Sequence, residues 1–260
     1  MPFEDSSVGH TEDHTPTITG ATIDTDIYKY GGGSGHFRGD LYQHVTYPDS
    51  ADWNLGASDF TISAWIYVDG VNQEHYISQL VDSKNYQVIH FVKTRIEFYA
   101  KGGGGGVVYI YKDFGVTPLS DGWHHIEIGR DQSVSGYVFV DGIKQTLTTN
   151  SYSNTCGDYN AVLDFGHYST QWSGGNIDVF KIDKGICRHN ANFTSPADED
   201  VDNDEYTVLL LKMNGTPVPP IKINIGDAWK EGTPYINIGD EWKEVTSLKI
   251  NIGDEWKDVF

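Results

Sequence analysis

Residues 60–68 read FTISAWIYV, and this stretch indicates the fold class. Apolar Phe60, Ile62 and Ile66 alternate with polar Thr61 and Ser63, and the run stops at an Asp-Gly pair. A period of two residues is typical of a β-strand that turns one face toward a core. The stretch therefore predicts a strand whose apolar face packs in the interior.

Similar signals recur along most of the chain. Glycine is abundant at 29 residues, aromatic residues make up 13%, and no apolar run at helical spacing exceeds about two turns. An Asp141-Gly142 pair predicts a hairpin turn. About ten strands at this spacing predict an all-β antiparallel sandwich or jelly roll. The further candidate strands are 86–92, 95–100, 107–112, 123–130, 136–140, 161–165, 176–182 and 206–212.

The net charge, the hydropathy and the first residues of the sequence argue against a nucleic-acid-binding, membrane-spanning or secreted protein. The formal net charge is −19 without a basic cluster, so a nucleic-acid partner is not expected. The sequence contains no apolar stretch of 18 residues, so membrane insertion is not expected. The first residues lack the basic and apolar regions of a signal peptide. Synthesis in a host cytoplasm is therefore expected. Only Cys156 and Cys187 are present, so the fold does not depend on disulfides.

The end of the chain carries a repeat. The copies recur after 13 and then 14 residues, which suits one β-hairpin and a short link. Each copy predicts a strand, a glycine turn and a return strand. Since an isolated hairpin is marginally stable in water, the three should pack together or against a partner. They read INIGDAWKEG at Ile223 to Gly232, INIGDEWKEV at Ile236 to Val245 and INIGDEWKDV at Ile250 to Val259.

A proline-rich segment separates this repeat from the preceding strands. Residues 216–220 read TPVPP, and prolines stiffen a chain and remove backbone donors. We therefore predict a β-domain at residues 1–215, a linker at 216–220 and a three-hairpin module for assembly or anchoring at 221–260.

The order of several motifs resembles a known family. The larger domain is similar to the laminin G-like, concanavalin A-like jelly rolls of phage and other virion surface proteins, and the tail resembles repeats appended to phage tail and capsid-surface proteins. One departure is that the family's extra apolar first strand is missing or comes from a neighbour. The matching stretches are DSS at 5–7 with GHT at 9–11, KYGGGSGHFRGD at 29–40, DSADWNLGASDFTISAW at 49–65, DGWHH at 121–125, YVFVDG at 137–142, NIDVFKIDKGICRHNANF at 176–193 and TVLLLKMNG at 207–215.

The resemblance implies a binding scaffold. Such domains bind glycans or proteins, often with calcium, and a minority are glycosidases. Because one fold hosts many functions, the residues themselves have to be weighed. The stretch between the cysteines resembles family strands that lie side by side, so a disulfide and two free thiols both stay open.

No catalytic residues are predicted. Glycoside hydrolysis needs two carboxylates across one cleft, about 5 to 9 Å apart. Glu127 lies alone between two isoleucines, and the spacing of Asp178 and Asp183 places them on opposite faces. His124 and His125 also point to opposite faces, and His124 is interpreted as a buried, hydrogen-bonded structural histidine. A glycosidase is kept as the weakest alternative.

A metal site is a second candidate. Asp200, Asp202 and Asp204 imitate the first ligands of a calcium loop, but the glycine and the closing glutamate of an EF-hand are absent. Calcium in a looser loop is one interpretation, and a solvated acidic turn is the other.

Aromatic residues are the candidate ligand contacts. Sugar rings stack on aromatic rings, and Tyr109 and Tyr111 share a strand face next to Tyr99, while Trp172 lies in a loop. Packing in the core or at an edge is the alternative for each. The glycines at 102–106 predict a flexible hairpin tip rather than a phosphate loop, because a strand follows them.

Three tryptophans are the candidate assembly residues. Trp229, Trp242 and Trp256 occupy one position in three repeats, and three exposed indoles would leave an apolar patch. We therefore expect a non-enzymatic virion surface protein in multi-copy or oligomeric form on a capsid or tail. Its jelly roll would bind host-surface or environmental glycans, and its repeats would contact virion proteins. Decoration without any ligand is the alternative.

Overall fold

The computed structural model describes residues 3–12, 14–70, 73–197 and 201–214, together with six strands between residues 221 and 258. The chain divides into two units, Met1–Gly215 and Thr216–Phe260. The segment 216–220, predicted to be a linker, lies outside the described residues. In the described part of the chain, no helix is long and apolar enough to span a bilayer.

The regular elements in the described part of the first unit are strands and two short 3-10 helical turns, Gly39–Leu41 and Ala51–Trp53. Its strands are β1 (Thr17–Thr19), β2 (Thr22–Asp24), β3 (Ser34–Phe37), β4 (His44–Tyr47), β5 (Phe60–Val68), β6 (Glu74–Asp82), β7 (Asn85–Val92), β8 (Arg95–Lys101), β9 (Val108–Asp113), β10 (Gly122–Asp131), β11 (Ser135–Val140), β12 (Ile143–Lys144), β13 (Thr149–Ser151), β14 (Leu163–Phe165), β15 (His167–Tyr168), β16 (Gln171–Trp172), β17 (Gly175–Lys184) and β18 (Thr207–Leu211).

Two eight-stranded sheets face each other. The first sheet has the order β1-β4-β14-β6-β7-β8-β9-β13. The second has the order β12-β11-β10-β5-β17-β3-β2, and β18 also pairs with β17. Every strand pair is antiparallel, including the central β10-β5 and β17-β5 pairs. The predicted all-β antiparallel jelly-roll sandwich is thus confirmed.

The core lies between the two sheets, as the alternation in residues 60–68 predicts. Phe60 and Ile62 of β5 are fully buried, and Ile66 is 1% exposed. The rings of Phe60 and Phe98 bridge the sheets with centroids 4.8 Å apart, and those of Phe165 and Phe180 do so at 4.6 Å. Burial of apolar side chains from both inner faces is the main stabilising contribution to such a sandwich.

A β-bulge in β17 overturns one prediction about its side chains. Asp178 pairs with Trp65 and Lys181 pairs with Ser63, so β17 uses one residue more than β5 between these two pairs. Val179 adopts a positive φ of 46° at this point. An extra residue reverses the alternation of the strand. Asp178 and Asp183 therefore lie on the same outer face, and the prediction of opposite faces was wrong.

The start of the chain covers the edge of β18. The Ser6 amide donates to the Leu210 carbonyl at 2.9 Å, and the Gly9 amide donates to the Thr207 carbonyl at 2.9 Å. The Asp5 carboxylate accepts from the Leu210 amide at 2.9 Å. Residues 5–9 thus satisfy backbone groups that an unpaired edge would leave open.

The glycine segment 102–106 is packed rather than a freely projecting tip. The Asp158 amide donates to the Gly103 carbonyl and the Gly106 amide donates to the Thr155 carbonyl, both at 2.9 Å. A Cβ atom on Gly105 would lie 2.4 Å from the Thr155 carbonyl oxygen. Glycine is therefore required for this close approach of two backbones.

The second unit contains three two-stranded antiparallel hairpins, one in each sequence repeat. In each of them, the tryptophan pairs with an asparagine of the opposite strand: Asn224 with Trp229, Asn237 with Trp242, and Asn251 with Trp256. Their strands are β19 (Ile221–Ile225), β20 (Ala228–Gly232), β21 (Tyr235–Ile238), β22 (Glu241–Glu244), β23 (Lys249–Ile252) and β24 (Glu255–Asp258).

The two cysteines are free thiols. Cys156 is buried, and its Sγ accepts from the Arg130 guanidinium at 3.3 Å. Burial raises the pKa of Cys156 to about 11, so this thiol is protonated at neutral pH. Of the two alternatives left open by the sequence, the structure therefore has free thiols.

Candidate functional site

Six tyrosines gather on the outer face of the first sheet, which we call the tyrosine face. Ring centroids lie 5.5 Å apart for Tyr86 and Tyr99, 5.1 Å for Tyr99 and Tyr109, and 5.2 Å for Tyr109 and Tyr111. The predicted candidates Tyr99, Tyr109 and Tyr111 are thus brought together. The members are Tyr76 on β6, Tyr86 on β7, Tyr99 on β8, Tyr109 and Tyr111 on β9, and Tyr168 on β15.

Strand alternation explains why these rings share one face. In β8, buried Ile96 and Phe98 alternate with half-buried Glu97 and Tyr99. Across the sheet, Tyr99 pairs directly with Tyr109. Side chains of directly paired residues stand on the same side of a sheet. The tyrosine face is therefore a consequence of register.

A cavity of about 290 Å³ lies on the tyrosine face. Aromatic rings at its wall supply apolar area, while carboxylate, guanidinium and amide groups supply hydrogen-bonding partners. Ligand sites in proteins combine these two kinds of surface. The residues that line the cavity include Glu74, Tyr76, His90, Arg95, Glu97, Tyr168 and Gln171.

His90 organises the polar part of this cavity. Its Nδ1 lies 3.1 Å from Glu97 Oε1, and its Nε2 lies 3.7 Å from Glu74 Oε2. The Tyr76 ring stacks on the imidazole with centroids 4.3 Å apart, and its hydroxyl donates to Glu74. The Tyr109 hydroxyl donates to Glu97 at 3.1 Å. The two carboxylates are thus held in fixed positions on either side of one ring.

Both carboxylates are ionised at neutral pH. The neighbouring His90 lowers the pKa of Glu74 to about 2, and the Tyr76 hydroxyl adds to this effect. Burial opposes ionisation of Glu97, but His90 and Arg95 together lower its pKa. A general acid in glycoside hydrolysis needs a raised pKa instead. This cavity therefore has acceptors for hydroxyl groups but no proton donor among its carboxyls.

Trp172 is not part of the tyrosine face. It lies in the two-residue strand β16 rather than in the predicted loop, and it pairs with His167 while Gln171 pairs with Tyr168. Opposed residues of a ribbon share one side, so Trp172 and His167 point away from the side that lines the cavity. Trp172 stacks on His167 at 4.2 Å and contacts Tyr42 at 5.1 Å.

The candidate calcium ligands have other contacts. Asp200 lies outside the described residues. The carbonyl of Asp202 accepts from the Lys181 ammonium at 3.1 Å. Arg188 donates to both oxygens of Asp204 at 2.7 and 2.8 Å, and it lowers the pKa of Asp204 to about 2. Within the part of the chain that the structure describes, no three His, Cys, Asp or Glu side chains are grouped to hold a metal ion.

The candidate assembly residues are defined only at the backbone. Trp229, Trp242 and Trp256 occupy equivalent register positions in their hairpins. Their side chains lie outside the described part of the chain. Their role in assembly stays a prediction.

His124 makes the hydrogen bonds expected of a structural histidine, but it is half-buried near the start of β10 rather than buried as predicted. Its Nδ1 lies 2.7 Å from the Asp141 carboxylate, and its Nε2 lies 3.0 Å from the carbonyl and 3.2 Å from the hydroxyl of Ser120. These residue types resemble a hydrolytic triad, in which Nε2 must accept the serine proton. Here Nε2 donates to a carbonyl, and Asp141 raises the pKa of His124. The His124 ring therefore connects two loops.

Sequence comparison now gives the class of protein. A profile described as the concanavalin A-like lectin/glucanases superfamily, of the laminin G type, matches residues 38–184, which is more than half of the chain. The chain belongs to this superfamily. No curated protein sequence matches the chain.

The solved structures to which this chain is similar are distant from it in sequence. The binding domain of botulinum neurotoxin serotype G is 15% identical with a TM-score of 0.50, over 71% of this chain and 45% of that chain. Domain 4 of a family GH43 extracellular arabinanase from Geobacillus stearothermophilus, solved with arabinotriose, is 15% identical with a TM-score of 0.46, over 66% of this chain and 83% of that chain. Domains LG4-5 of the mouse laminin alpha1 chain are 14% identical with a TM-score of 0.44, over 63% of this chain and 46% of that chain.

Proposed function

We propose that the first unit is a non-enzymatic glycan-binding module whose ligand lies along the tyrosine face. The observation that carries the proposal is the cavity in which tyrosine rings and two ionised carboxylates meet. A sugar ring presents an apolar face to aromatic rings and its hydroxyls to polar groups. Superfamily membership fits this reading, although the superfamily includes both lectins and glucanases by its description.

The charges favour neutral glycans over acidic ones. Glu74 and Glu97 bring two negative charges to the cavity, and Arg95 brings one positive charge. The chain as a whole carries −19. Like charges repel at short range, so sialylated or uronate-rich chains are disfavoured. Neutral chains meet acceptors for their hydroxyl protons at both carboxylates.

Binding is favoured over hydrolysis by the ionisation of the same pair. Glu74 and Glu97 both have lowered pKa values, so neither stores a proton for a leaving group at neutral pH. A turnover assay with a panel of neutral polysaccharides tests this point. If the unaltered protein released reducing ends and the Glu74→Gln or Glu97→Gln variant did not, the proposal of a non-enzymatic module would be wrong.

A glycan array with the full chain tests the binding proposal. We expect neutral glycans to bind, and Tyr99→Ala to weaken binding about tenfold, which corresponds to ~1.4 kcal/mol. Tyr28→Ala is the matched control, because Tyr28 is 45% exposed and lies outside the tyrosine face. No binding by the unaltered chain, or equal losses in both variants, would favour decoration without a ligand.

We further propose that the chain acts on a virion surface, where its second unit anchors or oligomerises it. The three hairpin repeats and the resemblance to phage surface proteins support this role. Many copies on one particle would turn weak single-site binding into firm attachment. Mass spectrometry of purified particles tests the location, and absence of the chain from them would contradict it.

A further inference from the structure

A second cavity lies on the outer face of the second sheet, and we call it the Glu127 cavity. Its volume is about 220 Å³, and its lining includes Ser63, His125, Glu127, Lys181 and Phe193. The β-bulge at Asp178 gives Lys181 the same outward direction as Ser63. Glu127 also pairs with Ser63 in the register of β10 and β5. Three neighbouring strands thus bring polar side chains to one point.

The floor of the cavity holds two buried titratable side chains, Glu127 and Lys181, and each has a hydrogen-bonding partner. Glu127 is 3% exposed, and both of its oxygens lie 3.0 Å from His189 Nδ1. His189 is thus the partner of Glu127. Lys181 is 5% exposed and donates to Asp183 at 2.9 Å and to the Asp202 carbonyl at 3.1 Å. Both side chains have partners, and burial raises the pKa of Glu127, which disfavours its charged form, so an ionic ligand is not expected here.

Among the residues that the structure describes, one polar group at this cavity has no hydrogen-bond partner. His125 is 3% exposed, and its Nδ1 is buried without a hydrogen bond. Burial lowers the pKa of His125 to about 4, so the ring is neutral. An unpaired buried polar atom is costly, which points to a ligand or water that supplies the missing bond.

The remaining hydrogen-bonding capacity defines the ligand class. Glu127 can accept further bonds, the Lys181 ammonium has three donors of which two are used, and the His125 nitrogen needs one partner. Hydroxyl groups both donate and accept, so a neutral polyol satisfies all three. Phe193 and Val201 add apolar surface. The volume is below the roughly 300–1,000 Å³ typical of sites for larger ligands.

We propose that the Glu127 cavity binds one neutral monosaccharide unit, as a site separate from the tyrosine face. Its ligand would be a free sugar or the end of a chain. The site does not depend on the proposed function of the tyrosine face, since it uses other strands of the other sheet.

Titration of the full chain with neutral hexoses and N-acetylhexosamines, followed by NMR, tests this site. We expect at least one sugar to shift the His125 and His189 ring signals with a dissociation constant in the millimolar range. Glu127→Gln keeps the shape of the side chain and should weaken this binding about tenfold, because the amide replaces one acceptor oxygen by a donor group. Tyr99→Ala should leave it unchanged.

Two results would overturn the proposal. One is the absence of any shift of the two histidine signals in the unaltered protein, which would mean that the cavity holds water only. The other is binding that persists in Glu127→Gln but disappears in Tyr99→Ala, which would assign the sugar to the tyrosine face. Absence of glycan binding on the array would contradict the proposed function of the tyrosine face but not, by itself, the proposal for the Glu127 cavity.

Discussion

Single residues decide which chemical groups reach the surface of this sandwich. Asp178 accepts from the backbone amides of Lys29 and Tyr30 at 3.1 and 3.0 Å, so it holds a neighbouring segment in place. Val179 next to it supplies the extra residue of the bulge. One extra residue in one strand thus determines whether Lys181 and Asp183 point toward the core or toward the outer face of the sheet.

At the residue scale, the inner face of β5 can be tested by truncation. Ile62→Ala should lower the free energy of unfolding by about 2 to 5 kcal/mol, because it leaves a hole among fully buried neighbours. Ser63→Ala should cost clearly less, since it removes only one hydroxyl oxygen and its side chain faces away from that core. Denaturant unfolding of both variants measures the difference. Equal costs would contradict the assignment of the faces.

The hydrogen bond between His124 and Asp141 should make stability depend on pH. The pKa of His124 is raised in the folded state, so its contribution is fully present below about pH 6.5 and is lost as pH rises through the folded pKa. The melting temperature should therefore fall less between about pH 6 and 9 in His124→Gln than in the unaltered protein. His44→Gln serves as the control. Identical pH profiles for all three proteins would contradict this.

At the scale of elements, the turn between β8 and β9 depends on a close approach of two backbones. Gly105→Ala should lower stability by about 1–3 kcal/mol, because the added Cβ would meet the Thr155 carbonyl oxygen at 2.4 Å. Gly174→Ala is the matched control, since nothing lies within 4 Å of a Cβ at that position. Thermal melts compare the two. A Gly105→Ala protein as stable as the control would mean that the turn can move away.

The strands were more predictable than their contacts. Alternation in β5 and the Asp141-Gly142 turn identified elements, because period and turn chemistry are local properties. Tyr99 and Tyr109 could be placed side by side from adjacent strands. The position of Tyr168 beside these two residues could not be predicted, because Tyr168 is distant in sequence and its position depends on tertiary packing. The partner of Glu127, His189, is likewise 62 residues away.

The bulge in β17 left no readable signal in the sequence. Its effect is a reversal of side-chain direction after Asp178. Strict alternation through the strand therefore gave the wrong face for Asp183. Because the Glu127 cavity includes Lys181 from beyond the bulge, the same irregularity concealed the second candidate site.

At the scale of the whole molecule, the repeats can be separated from ligand binding. Trp242→Ala should weaken assembly or attachment, because three equivalent indoles are expected to be buried in contacts between hairpins or with a partner. Glycan binding by the first unit should not change. Light scattering and incorporation into particles measure the first effect, and the glycan array measures the second.

Lys243→Ala, in the same strand β22, is the matched control for this prediction. It removes a charge rather than an indole and should assemble normally. If Trp242→Ala is incorporated as well as Lys243→Ala, the second unit is a spacer and the assembly role is wrong.

The contact between residues 5–9 and β18 also has a consequence for engineering. Ser6 and Leu210 are hydrogen-bonded neighbours, so the polypeptide enters and leaves the first unit at one place. A circular permutant could join these ends with a short peptide and open the chain at Val116, whose side chain is fully exposed. For the same reason, the unit could be inserted into a surface loop of an unrelated carrier protein without forcing the two ends of that loop apart.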